Sequence, residues 1–302
     1  MGWRNVIITQ HAKLSYSMNM MLVQTADGIN QIPIEDINLV LISTTQAVIT
    51  SALINKLIQN QSKLIFVDEK DSPVAETVGY YPNNRNLTRI VGQFNWDQSR
   101  VEQLWTKIVQ AKISNQIAVL NNYQLPSQSV EQELDQLELN DQTNREAAAA
   151  RKYFMVLFGD DFVRRNSDAI NAALDYGYAI LLSAFNREID MAGYLTYLGI
   201  HHHSDANEFN LASDLMEPFR PFIDYWVKAN ESITELTPNI KYGLVELLSL
   251  EINFAGKKTL LSNAISKYMR NCLNFLDGKT DQIRIEMGIS NEVPSRALND
   301  NV

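Results

Sequence analysis

Cysteine occurs once in the 302 residues, at Cys272, so no disulfide can form within the chain and a cytoplasmic setting is the expectation. With 12 Gly and 8 Pro, the composition excludes a collagen-like or low-complexity chain. No apolar run approaches the roughly 20 residues that cross a bilayer, so no membrane association is expected. The opening MGWRNVIITQ has only Val6, Ile7 and Ile8 as an apolar run, too short for a signal-peptide core. Met1-Gly2 opens like a myristoylation signal, but Val6 stands where Ser or Thr is needed. There is no zinc-type cysteine spacing, no GxGxxG, no Walker loop and no internal repeat. No Ser-His-Asp or Cys-His arrangement suggests a covalent nucleophile either.

Positive charge is also short. Against 35 acidic residues stand 26 basic ones, a net charge of −9. Taken alone, that counts against a nucleic-acid binder, whose footprint is usually basic. The acid is unevenly placed. Residues 126–143 carry Glu131, Glu133, Asp135, Glu138 and Asp141 with no Lys or Arg, five of the nine excess charges. The next stretch, 145–165, holds Arg145, Arg151, Lys152, Arg164 and Arg165 against three acidic residues. Global charge therefore says little about the field at one site.

What is present reads as an α+β chain. At about 150 residues per domain, the length suggests one large or two ordinary domains. Residues 1–82 predict an N-terminal antiparallel β-sandwich, from short β-prone runs at 6–9, 14–16, 20–23, 29–34, 37–42, 63–67 and 74–78. Such tight spacing favours a sandwich over βαβ units. One helix interrupts it at 48–59, with apolar residues at 49, 53, 54, 57 and 58. Gly79, Pro82, Asn83 and Asn84 mark a boundary, with a linker at 83–90. Residues 91–302 then predict a larger all-α domain. Its first long helix, 96–123, aligns apolar residues at 101, 104, 105, 108, 109, 113, 117 and 120. Further helical segments are expected at about 143–159, 166–187, 211–228, 238–254 and 257–276, and the polar tail 278–302 is expected to be loosely held.

Three places could carry chemistry. The first is Gly199-Ile200-His201-His202-His203, three of the four histidines in the chain. Imidazole is a ligand for transition metals and a base near neutral pH, but a solvated polar turn explains the run equally well. The second is Ser213-Asp214-Leu215-Met216-Glu217-Pro218-Phe219-Arg220. Asp214 and Glu217 share a helical face, and paired carboxylates invite a divalent cation. Ser213 is a candidate N-cap with Asp214 in the first turn, and the alternative to a metal is that Asp214 caps the helix while Glu217 pairs with Arg220 or Arg187. Pro218 should bend or end the helix there. The third is Glu146, opening an Ala-rich helix, where it can compensate the dipole or serve a site.

In order, the blocks at 146–154, 171–182, 199–202 and 211–221 resemble the CRISPR-associated spacer-acquisition integrase/endonuclease family, the first numbered Cas protein. The Asp214-Leu215-Met216-Glu217-Pro218-Phe219-Arg220-Pro221 block is the most specific part. Gly2-Trp3-Arg4-Asn5-Val6-Ile7-Ile8 and Lys112-Ile113-x-Asn115-Gln116 resemble its type II-A branch. The resemblance implies a catalytic metal site of Glu146, His202 and Glu217, with Asp214 as a possible accessory ligand and magnesium or manganese as cofactor. His202 is chosen from the three histidines because Gly-x-x-His counts from Gly199. Ala147 stands where the family often has Gly, which leaves the carboxylate intact. The implied reaction is attack by a DNA 3′-hydroxyl on a phosphodiester, inserting foreign DNA fragments into a CRISPR array. The implied partners are protospacer DNA, the CRISPR repeat and leader, a second copy joined through the β-domain, and a small second Cas protein in a heterohexamer. Other type II-A adaptation proteins and the effector nuclease belong to the same expectation. Arg145, Arg151, Lys152, Arg164 and Arg165 are candidate phosphate contacts, with a solvated helix face as the alternative. A non-catalytic DNA-bridging scaffold and an unrelated metal-dependent phosphohydrolase are the competing functions.

Overall fold

The computed structural model describes residues 4–68, 73–79 and 87–288. The N-terminal region is built from two four-stranded sheets. One has the order β4 (Gly28–Pro33), β3 (Met20–Thr25), β2 (Lys13–Ser17) and β6 (Val48–Ile49). The other runs β1 (Arg4–Ile8), β5 (Ile37–Ile42), β7 (Lys63–Val67) and β8 (Pro73–Glu76). Helix α1 (Ser51–Gln59) lies between β6 and β7 in sequence and packs on β2 and β7.

The strand-rich start is as expected, but its pairing is not purely antiparallel. β1 pairs with β5, and β5 with β7, in parallel; only β8 closes that sheet antiparallel. The reason lies in burial on both faces. Along β5, Val40 and Ile42 enter the core between the sheets, whereas Leu39 and Leu41 enter the core shared with the helices. In β7, Leu64 faces the first core while Ile65 and Val67 face the second. A strand buried on both faces is apolar throughout and accommodates parallel neighbours, with α1 as the crossover.

The helical part follows: α2 (Leu87–Phe94), α3 (Gln98–Asn122), α4 (Gln128–Asp135), α5 (Arg145–Phe158), α6 (Ala169–Ala192), α7 (Asn210–Leu215), α8 (Arg220–Ala229), α9 (Pro238–Glu246) and α10 (Leu261–Leu276). It is not all helix. β9 (Glu251–Phe254) pairs antiparallel with β10 (Lys257–Leu260) and with β11 (Met287–Gly288), where long helices were expected over 238–254 and 257–276. Ala255 and Gly256 take φ values of +50° and +74°, a tight reversal that no helix passes through. Residues 87–90 of the expected linker open α2, while 83–86 lie outside the described residues, as do Gly2, Trp3 and residues 289–302.

Helix α3 is the axis of the site. Its apolar stripe is buried as the spacing required, including Val101, Leu104, Trp105, Ile108, Val109, Ile113 and Leu120. It packs against α4, α5, α8 and the turn Glu217–Phe219. Helix α6 is fastened to the parallel sheet by polar contacts. Lys63 Nζ lies 2.9 Å from Glu76 and 3.3 Å from Asp190, and Ser183 donates to Glu76 at 2.8 Å. Arg187 donates to Gln61 O at 3.0 Å and to the Asn38 side chain.

Candidate active site

Four segments converge here. The first is the start of α5. Asn144 takes the left-handed conformation (φ +55°) that Asn tolerates, and its Oδ1 accepts from Ala147 N at 3.4 Å. Buried Asp141 accepts from Arg145 N at 2.6 Å and Glu146 N at 3.0 Å. The orphan donors of the helix start are thus met by Asn144 and Asp141, so the Glu146 side chain is not consumed in capping. It forms an ion pair with Lys112 instead.

The second segment is the stretch from α7 to α8. Pro218 ends α7, and Glu217–Phe219 form one 3₁₀ turn before α8 begins at Arg220. Ser213 lies inside α7 rather than capping it, and its Oγ accepts from Asn207 Nδ2 at 3.1 Å. Asp214, near the end of α7, is 0% exposed. Its Oδ2 accepts from Ile200 N at 2.7 Å and His201 N at 2.9 Å, and its Oδ1 from His202 N at 3.2 Å. Its remaining partner is His202 Nδ1. The first-turn role considered for Asp214 is therefore wrong, because this carboxylate is the anchor of the histidine loop.

That loop is the third segment. A Cβ on Gly199 would lie 2.3 Å from the His202 carbonyl oxygen and 2.7 Å from Asp214 Oδ2, so only glycine fits. Asp214 accepts throughout, so Nδ1 of His202 carries the proton and Nε2 keeps its lone pair. The His202 side chain is half exposed. His201 lies flat on Trp105, with ring centroids 4.1 Å apart and planes within 6°, and His202 meets the same indole edge-on at 5.8 Å. His203 is exposed.

The fourth segment is α3, which brings Lys112. Its ammonium touches Oε1 of Glu146 and Oε2 of Glu217 together. Glu217 Oε1 faces Arg220 Nε at 2.9 Å, and the Arg220 guanidinium sits over the Tyr178 ring at 4.8 Å. Asn115 donates to Pro218 O at 2.8 Å and ties α3 to the turn that carries Glu217.

Electrostatics follows from these contacts. Burial alone would push the Lys112 amine down, but Glu217 and Glu146 outweigh it and hold it above its ordinary value. The Lys112 charge in turn keeps Glu146 below the usual carboxylate range despite burial. The hydrogen bond that His202 donates to Asp214 raises its imidazole above its ordinary value against the effect of burial, with Glu217 and Glu146 adding to the rise. Burial, then the neighbouring His202, lowers His201. The two rings are therefore separated in basicity, with His202 the more basic.

The expected ligands Glu146, His202 and Glu217 thus share one field, but the two carboxylates close on an ammonium. Among the described residues no group of three His, Cys, Asp or Glu side chains is arranged to hold a metal ion. The donor set, two carboxylates and an imidazole nitrogen, suits a hard divalent cation in chemistry. Lys112 stands where the carboxylates meet.

The five candidate phosphate contacts divide. Arg145 and Lys152 both hold buried Glu133 of α4, at 3.1 Å and 2.5 Å. Arg164 binds Asn171 at 2.9 Å and Asp175, and lies over Tyr178. Arg151 and Arg165 are exposed. The acidic stretch 126–143, outside every motif in sequence, folds against α5 through Glu133 and Asp141. Sequence reasoning missed Lys112, Trp105 and Asp141 as site residues. One signal was available for Lys112: a charge at an otherwise apolar position of the α3 stripe.

Comparisons with known proteins agree with this layout. The family model described as CRISPR associated protein Cas1 matches residues 6–235. The CRISPR-associated endonuclease Cas1 of Neisseria meningitidis serogroup C (strain 8013) is 34% identical over 288 residues, covering 93% of this chain and 94% of that protein. A solved casposase bound to its integration product superposes with a TM-score of 0.78 at 18% identity, over 99% of this chain and 96% of that one. A chain of a Cas6-RT-Cas1–Cas2 complex gives 0.72 at 17% identity, over 94% of this chain and 36% of the other. With the family model spanning most of its length and a relative this similar end to end, the chain belongs to the CRISPR associated protein Cas1 family.

Proposed function

We propose that this chain is a metal-dependent DNA endonuclease and integrase that inserts foreign DNA fragments into a CRISPR array. The observation that carries the proposal is the convergence of Glu146, Glu217 and the Asp214-anchored His202 beside Lys112 and Arg220. The type II-A branch, a cytoplasmic setting, dimerisation through residues 1–82 and a catalytic part at 91–302 belong to the same reading. So does a Cas2 partner, as in the Cas6-RT-Cas1–Cas2 complex.

In the reaction, the 3′-oxygen of incoming DNA forms a bond to a target phosphorus while that phosphorus loses its bond to the target's own 3′-oxygen. Glu146, Glu217 and His202 would hold a magnesium or manganese ion, which when bound polarises the phosphoryl oxygen and stabilises the leaving 3′-oxygen. The protein's own groups do the rest. Half-exposed His202, its Nδ1–H fixed by Asp214, presents the Nε2 lone pair as the nitrogen donor of that set, while the proton of the attacking hydroxyl leaves to solvent and the leaving 3′-oxygen takes one up. Arg220, fixed over Tyr178, supplies a positive charge to the phosphate. Attack by water in place of the 3′-hydroxyl gives the endonuclease reaction.

The test uses manganese, a short duplex with free 3′-hydroxyl ends and a repeat-bearing plasmid, and reads covalently joined product. Glu146→Gln, His202→Ala and Glu217→Gln should each lower joining by about 100-fold or more. Undiminished joining by Glu217→Ala would show that the site is misassigned.

A further inference from the structure

We propose that Lys112 is the exchangeable cation of the active site, holding the seat between Glu146 and Glu217 that a divalent ion must take. This rests on the metal-dependent reading above and concerns how the ion gains its ligands.

Three features of the geometry lead there. One ammonium bridges the two carboxylates expected to be ligands, through one oxygen of each. Both Glu217 oxygens face a cation, Oε2 the Lys112 ammonium and Oε1 Arg220 Nε at 2.9 Å. A cation seated between the two carboxylates, on the oxygens that Lys112 touches, competes with that ammonium. Lys112 and Arg220 are anchored differently. Arg220 sits at the start of α8 with its planar head over the Tyr178 ring at 4.8 Å, a contact away from the carboxylates. Lys112 carries a point charge on four flexible methylenes, and among the described residues its hydrogen bonds go to the two carboxylates. Lys112 is the group that yields.

The scaffold around the exchange stays put. Asn115, one turn further along α3, holds the Pro218 carbonyl at 2.8 Å, so the turn that carries Glu217 does not depend on the ammonium. The start of α5 is fixed independently by Asp141. The cluster opens on the Glu146 and His202 side, where side-chain exposures of 22% and 50% compare with 9% for Lys112. An ion entering from that side meets both carboxylates already gathered, with their mutual repulsion offset by Lys112 until it leaves. The released ammonium is then a free positive charge on the floor of a phosphate-binding site.

The direct measurement is Mn²⁺ affinity of the full chain by calorimetric titration, for the wild type, Lys112→Met, Arg220→Met and Glu217→Gln. Two cations competing for the same carboxylates oppose each other by the coupling typical of linked sites, so Lys112→Met should bind Mn²⁺ about tenfold more tightly or better. Its melting temperature should fall in chelator and rise further than that of the wild type on adding Mn²⁺. A second readout needs no variant. Reductive methylation of wild-type chain, followed by mass spectrometry, should modify Lys112 slowly in chelator and readily at saturating Mg²⁺. Equal or weaker Mn²⁺ binding by Lys112→Met, with Glu217→Gln abolishing binding, would overturn the exchange and leave the metal site standing. Tighter binding by Arg220→Met alone would overturn it in favour of arginine release. Absence of Mn²⁺ binding to both the wild type and Lys112→Met would overturn the exchange together with the metal-dependent reading.

Discussion

Single residues decide whether His202 can act. Asp214 raises its basicity and fixes its tautomer, and Gly199 lets the loop close over that carboxylate. Replacing Gly199 by Ala puts a methyl group against a backbone oxygen and a buried carboxylate, neither of which can move aside freely. Denaturant unfolding should show a loss of about 1–3 kcal/mol, with the His202 resonance shifted in the same variant. The pH dependence has a fixed sign. A histidine whose folded pKa lies above 6.5 contributes its full stabilisation below that pH and loses it as pH rises through the higher value. Melting curves across that window should therefore slope downward in the wild type, and this component should vanish in His202→Gln. Gly-x-x-His spacing singles out His202, and both Asp214, which its ring bonds, and Gly199, which lets the loop close, lie in the same motif blocks. The run itself could not say why His201 differs. That distinction comes from Trp105, nearly a hundred residues away in sequence, on whose buried ring His201 lies.

Elements were legible where one face is buried and ambiguous where two are. Helix α3 shows its apolar stripe in the sequence, and Pro218 marks the break between α7 and α8. β5 and β7 are apolar on both faces, a pattern that signals parallel strands around a crossover helix, yet their short spacing suggested antiparallel neighbours. The β9–β10 hairpin was hidden because alternation over four residues can be fitted to helical spacing as well. The start of α5 offers a test at this scale. Asp141 accepts two backbone N–H groups that Asn144 does not reach, so Asp141→Ala should cost about 1–2 kcal/mol in urea unfolding. The same change should weaken strand joining beyond what lost stability explains, since it frees the helix start that aims Glu146.

For the whole molecule, the charge of −9 no longer weighs against DNA. Much of the excess lies in residues 126–143, and part of that acid is spent internally, with Glu133 neutralising Arg145 and Lys152. Three of the five candidate phosphate contacts, Arg145, Lys152 and Arg164, are engaged in ion pairs within the chain, so binding of a DNA duplex by this chain alone should be modest and fall steeply with salt. Fluorescence anisotropy over a salt series checks this; tight binding indifferent to salt would disagree. In the wider fold, α6 is held to the parallel sheet through Lys63, Arg187 and Ser183, while α3 packs on the turn that carries Glu217. If Glu146 and His202 do chemistry and do not merely keep a DNA-bridging shape, the difference is read in the count of newly inserted spacers in cells whose only copy of this protein is Glu146→Gln/His202→Ala, expressed at wild-type level. No new spacers should appear in those cells, whereas acquisition at the wild-type rate would mean that the two residues serve only to hold a shape.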